Sequence, residues 1–299
     1  MRIATWNVNS LKARWDKVVW WLERARPDVL LLQETKLTDA DAPHGAFRAA
    51  GYELAHHGEG RWNGVAIAAR GPLADVVANF GEPLRPPTTP DVGDDEPLAE
   101  ARMIAATYEG VRVVSLYAPN GRSLGSPFYE AKLAWYDRLS RWVEQACDPG
   151  EPLVLGGDFN LAPTDLDVWD PAACHGGTHV SPPEREAFSR LRRWGLTDAY
   201  RVHHPEPGRY SWWDYRAGAF HRNLGMRIDH LLVTRPVAER TVWAEIDREA
   251  RKGKPVPSDH APVVIDLDRP GQVFDAGWAR VERKALDGRV SGPQVGGAD

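Results

Sequence analysis

Apolar residues along this chain fall in two rhythms. Short, almost unbroken runs read as strands buried on both faces: "RIATWNV" at residues 2–8, "DVLLLQET" at 28–35, "GVAIAAR" at 64–70, "LVLGGD" at 153–158, "RIDHLLVT" at 227–234 and "APVVIDL" at 261–267. Between them, "LKARWDKVVWWLERARP", "FYEAKLAWYDRLSRWVEQA" and "PPEREAFSRLRRWG" return apolar residues at helical spacing and predict amphipathic helices, the first stopped by Pro27. "GYELAHH" adds a strand, and "ARMIAATYEG" with "VRVVSLYAPN" predicts a hairpin turning at Glu109-Gly110. The Pro- and Asp-rich "GEPLRPPTTPDVGDDEPLAE" supports neither ladder nor helix and predicts a surface excursion, while "RYSWWDYRAGAF" reads as loop-rich. No gap has the composition of a linker. Strands mixed with long helices predict one α/β domain of packed sheets flanked by helices over residues 1–268, followed by a Gly-rich tail, 269–299, expected to be disordered.

The apolar strands share a second habit: they end on polar residues. Asn7 and Asn9 follow "RIATW", Gln33 and Glu34 follow "VLLL", Tyr117 and Asn120 lie in "SLYAPNG", Asp158 and Asn160 in "GGDFN", Asp229 in "RIDHLL", and Asp259 and His260 in "PSDHAPV". A lone Asp or Asn there is a turn former. Six such segments together describe an oxygen-rich pocket at one edge of the sheets. Carboxylate and amide oxygens suit Mg2+ or Mn2+ rather than zinc, and the chemistry that fits is phosphate-ester hydrolysis: a cation offsets phosphoryl charge, a His donates to the same group, and a carboxylate with an amide orients and deprotonates water. There is no His-Glu-x-x-His and no Gly-rich Lys-Ser/Thr loop.

Composition narrows the partners. The 299 residues are 42% hydrophobic, enough for a sizeable core, and carry a net charge of −5, so any nucleic-acid contact must be local. Cys147 and Cys174 are the only cysteines, too few for a disulfide framework, which fits a reducing compartment. No apolar window approaches the roughly 18 residues of a membrane span. A cytoplasmic monomer is expected.

"WNVNSLKAR", "LLQETK", "YAPNG", "GGDFN", "RIDHLL" and "SDHAPV", in that order from Arg2 to about Leu267, resemble the exonuclease III family of AP endonucleases, within the wider endonuclease/exonuclease/phosphatase superfamily. The resemblance implies a four-layer α/β sandwich, two packed mixed β-sheets flanked by helices. It implies Mg2+- or Mn2+-dependent cleavage of double-stranded DNA on the 5′ side of abasic sites, with 3′→5′ exonuclease activity and cleaning of blocked 3′ ends. Carried over residue by residue, it implies Glu34 as chief metal ligand with Asn7 beside it, Asp158 as the base, Asn160 orienting the water, and His260 on the scissile phosphate, backed by Asp229. Tyr117 is placed near the phosphate or leaving oxygen, and Asp259 at a second or displaced metal. How base, metal and acid roles divide among Asp158, Asn160 and His260 is left open.

Lys12, Arg14, Lys36 and Arg122 adjoin these strand ends and concentrate positive charge where a phosphate backbone would pass, with Asn9 and Asn120 as further DNA contacts. Each alone also reads as a solvated surface charge. Trp212 and Met226, in the aromatic-rich stretch whose family counterpart reaches into DNA, are candidates for packing against an extruded sugar, with core packing an equal alternative for Trp212. His56, His57, His203 and His204 read as surface residues. The rival functions are an inositol-phosphate or sphingolipid phosphodiesterase of the same superfamily and a catalytically silent DNA-binding homologue.

Overall fold

The structure is a computed structural model and describes residues 1–81, 100–254 and 256–271. The Pro- and Asp-rich excursion and the tail beyond residue 271 lie outside the described residues. In chain order the strands are β1 (Arg2–Asn7), β2 (Val29–Gln33), β3 (Glu53–His57), β4 (Val65–Ala69), β5 (Ala74–Ala78), β6 (Met103–Tyr108), β7 (Val111–Tyr117), β8 (Leu153–Asp158), β9 (Thr197–Asp198), β10 (Trp212–Trp213), β11 (Gly225–Met226), β12 (Asp229–Val233), β13 (Thr241–Ile246) and β14 (Val263–Leu267). They form two six-stranded sheets, ordered β13-β14-β1-β2-β4-β3 and β5-β6-β7-β8-β12-β9, and a two-stranded ribbon, β10-β11. Each large sheet has one parallel pair, β1–β2 and β7–β8, among antiparallel neighbours. Open sheets of this kind bind ligands at the carboxyl ends of their parallel strands.

The unbroken apolar runs follow from burial on both faces. In β2, Val29 and Leu31 point into a central core shared with Val154, Leu231 and Val233 of the second sheet, while Leu30 and Leu32 pack outward on Val18, Trp21 and Leu22 of the helix Leu11–Ala25. On the other side, Val114, Leu116 and Leu155 meet Trp135, Tyr136 and Leu139 of helix Pro127–Ala146 and Phe188 and Leu191 of helix Pro182–Trp194. Helix, sheet, sheet and helix make four layers. The helices start on side-chain caps from Ser10, Ser126 and Ser181 that satisfy first-turn amides. The first ends at Arg26 in the left-handed region, one residue before Pro27. The hairpin turns at Glu109 and Gly110, both at positive φ.

Strands β5 and β13 were not expected from the sequence. Both are edge strands with a single neighbour, a register irregularity and exposed positions, so no continuous apolar run announces them.

Two glycines near the end of β8 allow close approaches, Gly156 to the facing sheet and Gly157 to β7 in its own sheet. A Cβ on Gly156 would stand 2.4 Å from Leu31 Cδ1 and 2.7 Å from Leu231 Cδ2, and one on Gly157 1.9 Å from the Leu116 carbonyl oxygen. Only glycine fits, and the close approach at Gly156 brings the ends of β1 and β8 within hydrogen-bond reach of each other. Among the described residues, no helix is long and apolar enough to cross a membrane.

Candidate functional site

Strand register alone aligns three of the polar ends. Tyr117 is paired with Asp158 across the parallel β7–β8 ladder, and Asp158 with Asp229 across β8–β12, so the three lie in one row at the edge of the second sheet. Facing them, β1 and β2 end together on Asn7 and Gln33, with Glu34 next, held at φ 51°. A non-glycine residue in this region is strained, and Asn9, Lys36, Arg122 and Asn160 share the strain. Ser258 fixes the last segment: its Oγ donates to the Asn7 carbonyl at 2.7 Å and accepts from the His260 amide at 3.1 Å.

Asn7 joins the two sheets. Its Nδ2 donates to Glu34 Oε1 at 2.8 Å and to Asp158 Oδ2 at 2.9 Å, while its Oδ1 accepts from the Asn9 amide. Asp158 Oδ1 accepts from the Asn160 amide at 2.8 Å. His260 lies between two carboxylates, with Nδ1 2.8 Å from Asp229 Oδ2 and Nε2 3.8 Å from Asp158 Oδ2. Burial works against its charge, but Asp229 and Asp158 outweigh burial and raise its pKa to about 10, so the ring is an imidazolium at neutral pH. Burial, reinforced by Asp229 and opposed by His260, pushes Asp158 up to about 7, where a carboxylate works as a base. Burial and the neighbouring Glu34 charge hold the Tyr117 phenol well above its ordinary value, so it stays a proton donor.

Glu34 is met by Lys36 Nζ at 2.9 Å, and the same ammonium reaches Asn9 Oδ1 at 2.7 Å. A positive charge on a carboxylate and an amide oxygen is the environment a hard cation uses. Asp158 and Asp229 add two buried carboxylates beside it, and Asp229 Oδ1 is buried without a hydrogen-bond partner. The residues present therefore fit a divalent cation. Asp259 stands to one side, accepting from Asn9 Nδ2 and Trp212 Nε1, each at 3.0 Å. Burial disfavours its charge, yet His260 and these two bonds hold it below its ordinary value.

The remaining sequence candidates are distributed around this centre. Asn120 Nδ2 donates to Asn160 Oδ1 at 3.2 Å, and the Arg122 guanidinium lies 3.5 Å from the Phe128 ring centroid. Arg14 Nη2 donates to the Tyr215 hydroxyl at 3.2 Å, and Lys12 is exposed on the same helix. Trp212 and Met226 are register partners in the β10–β11 ribbon, both half-buried against Val168 and Ile228. The surface reading of the histidines needs correction. The His56 side chain is 1% exposed, bonded to Thr35 and Asp39 at 2.8 Å each, His57 is buried, and His204 is stacked on Tyr200. These imidazoles pack and bond between loops and strands, a role that sequence spacing does not signal.

Sequence reasoning missed the supports. Lys132, fully buried, donates from Nζ to the carbonyls of Asn160 at 2.7 Å and Asn120 at 3.1 Å and pairs with Glu184. It thus ties both asparagine loops to two helices. The signal was present: a lysine on the apolar stripe of its helix, between Tyr129 and Tyr136. Arg227, also buried, bonds Asp167 and Asp198 at 2.7 Å each and donates to His230 Nδ1 at 2.9 Å, beside the start of β12.

Residues 4–260 match the Endonuclease/Exonuclease/phosphatase family. The chain is 32% identical over 278 residues to the exodeoxyribonuclease III of Haemophilus influenzae, covering 88% of this chain and 98% of that protein. It superposes with a TM-score of 0.81 on an AP endonuclease from Archaeoglobus fulgidus, 35% identical and covering 90% of this chain and all, 100%, of the other. A 3′ phosphatase from Neisseria bound to product DNA hairpin gives a TM-score of 0.79 at 40% identity, with 90% and 100% covered.

Proposed function

The chain belongs to the endonuclease/exonuclease/phosphatase family, and from that premise we propose a DNA-repair hydrolase that cleaves phosphodiesters 5′ to abasic sites, removes nucleotides 3′→5′ and clears blocked 3′ ends. The enzyme is a divalent-metal-dependent nuclease; Mg2+ or Mn2+ is the cation its oxygen donors favour. One observation carries the reading: the row Tyr117, Asp158, Asp229 with its imidazolium closes against Asn7 and Glu34 across two sheet edges. The three similar proteins act, by name, as an exodeoxyribonuclease, an AP endonuclease and a 3′ phosphatase.

In this reading Glu34 and Asn7 would hold the cation, and the cation would supply positive charge to offset the phosphoryl oxygens. The His260 imidazolium donates from Nε2 to a nonbridging phosphate oxygen, and Asp229 fixes its orientation and charge. Asp158 accepts the proton of the attacking water, whose position Asn160 sets. The oxygen of that water bonds to phosphorus as the bond to the leaving oxygen breaks, and the Tyr117 phenol, kept protonated by its surroundings, would donate a proton to that oxygen. Lys12, Arg14, Lys36, Asn9, Asn120 and Arg122 line the approach of the backbone, while Trp212 and Met226 wall the place of a sugar without a base.

The test is cleavage of end-labelled abasic, intact and 3′-phosphate duplexes, with and without chelator, beside a phosphoinositide control. Metal-dependent cutting at the abasic site supports the reading; turnover of the phosphoinositide alone sinks it. Glu34→Ala should fold, require more metal, and turn over far more slowly, since a polar pocket wall is lost without a core cavity. Wild-type rates at unchanged Mg2+ would remove Glu34 from the metal.

A further inference from the structure

Beside the site, and outside every residue assigned to it, is a cavity of about 300 Å³ whose walls include Tyr215, Phe220, His221, Arg251 and Lys252. Its floor, Pro257, precedes the segment that carries Asp259 and His260, and the Tyr215 hydroxyl ties the two together by donating to the Pro257 carbonyl at 2.7 Å. Arg251 is the unusual member. It is 8% exposed, its Nε has no hydrogen-bond partner, and its one bond to the Trp213 carbonyl, at 3.5 Å, is at the limit of length. Among the described residues no carboxylate lies within 4.0 Å of it, the Asp259 charge acting on it through space. The guanidinium is instead stacked, 4.9 Å from the Tyr215 ring centroid and 5.2 Å from that of Phe220. The other charges at the cavity are already matched: Lys252 pairs with Glu249, and Asp214 is held by Arg216 at 2.7 Å.

A desolvated guanidinium with no carboxylate bonded to it is costly unless an anion reaches it, and a rigid, stacked fork suits phosphate oxygens in particular. Arg14 Nη2 bonds the same Tyr215 hydroxyl, and the Arg14 Nε is likewise buried without a partner. The volume is at the lower end of small-ligand sites, the scale of one sugar-phosphate unit. We infer that this cavity is a phosphodiester subsite, holding through Arg251 a backbone phosphate of the DNA strand away from the bond being cut. The inference rests on the nuclease reading and extends the basic strip past Arg14 to the far side of Tyr215.

Anisotropy of a labelled abasic duplex, titrated with full-length protein under chelation across a salt series, tests it. Arg251→Gln should raise Kd about tenfold at low salt and lower the slope of log Kd against log salt by about one. Arg251→Lys should keep the slope and recover part of the affinity, and it carries the test if the Gln variant does not fold. With metal present, KM should rise with kcat within about twofold. Wild-type Kd and slope in both variants overturn the inference; so does a fall in kcat at constant KM, which would mean that Arg251 only props up the Asp259 segment. Arg251-dependent binding of inorganic phosphate with unchanged DNA affinity overturns it in favour of a free small anion. Wild-type protein that neither binds nor cuts the abasic duplex would instead sink the nuclease reading itself.

Discussion

Asp158 has the clearest single-residue consequence. Its two oxygens accept from Asn160 and Asn7, and its carboxyl is raised to about 7 by burial and the facing Asp229. Asp158→Asn preserves size and most of these contacts while removing the base, so it should fold, retain binding to abasic duplex, and lose about 10²–10⁴-fold in turnover. Ordinary single-turnover rates in that variant would take the base role from Asp158. His230 shows the opposite kind of control. Nδ1 accepts from Arg227 at 2.9 Å and Nε2 donates to the Leu161 carbonyl at 2.8 Å, so the neutral tautomer is the only one that fits. Burial first and the Arg227 charge second lower its pKa to about 4. Because the folded value is below the unfolded one, near 6.5, the stability this site contributes is present above pH 6.5 and is lost as pH falls toward 4. NMR of the imidazole should show no titration of His230 between pH 5 and 8; a midpoint near 6.5 would contradict the assigned bonds.

Among elements, helix Pro127–Ala146 has the most to do with the site although none of its residues enters it. Lys132 crosses from its apolar face to the Asn120 and Asn160 carbonyls, and Glu184, from the capping box of helix Pro182–Trp194, neutralises it. Burial lowers the Lys132 pKa, and Glu184 resists that shift. Lys132→Met leaves Glu184 buried and uncompensated and should cost about 3–5 kcal/mol in chemical unfolding, part of which Lys132→Met/Glu184→Gln regains. If the lysine also positions the asparagine loops, the double variant should still show reduced kcat with KM within about twofold. Full recovery of kcat along with stability would limit Lys132 to structural support.

At the scale of the whole molecule, the net charge of −5 opposes DNA binding, which on the proposed reading rests on Arg14, Lys36 and Arg122. Lys36 is partly spent on Glu34, so few cations are left to displace counterions. Binding to abasic and intact duplex should therefore weaken with a shallow slope, and in parallel, as salt rises, because few phosphates are neutralised and those contacts carry affinity without reading the lesion. On the proposed reading, discrimination comes instead from packing of Trp212 and Met226 against a sugar without a base, which is the easiest nucleotide to extrude. Slopes of log Kd against log salt that differ between the two duplexes would place lesion recognition in the charge instead.

What the sequence determined by itself is local. Apolar runs and helical spacing specified the central strands and the three long helices, because strands covered on both faces need unbroken apolar residues and helices covered on one need a stripe. The polar residue that ends each strand was visible too, and the ordered motifs named the candidate set. Edge strands β5 and β13 were hidden because half-exposed pairing tolerates any mixture of residues. Tertiary structure alone decided which ends meet: register put Asp158 between Tyr117 and Asp229, and Gly156, with no Cβ to hold the sheets apart, let Asn7 reach Asp158. It also decided the charges. Burial and facing carboxylates made His260 a cation, and packing left the Arg251 Nε without a hydrogen-bond partner among the described residues, both effects of distance and desolvation between residues far apart in the chain.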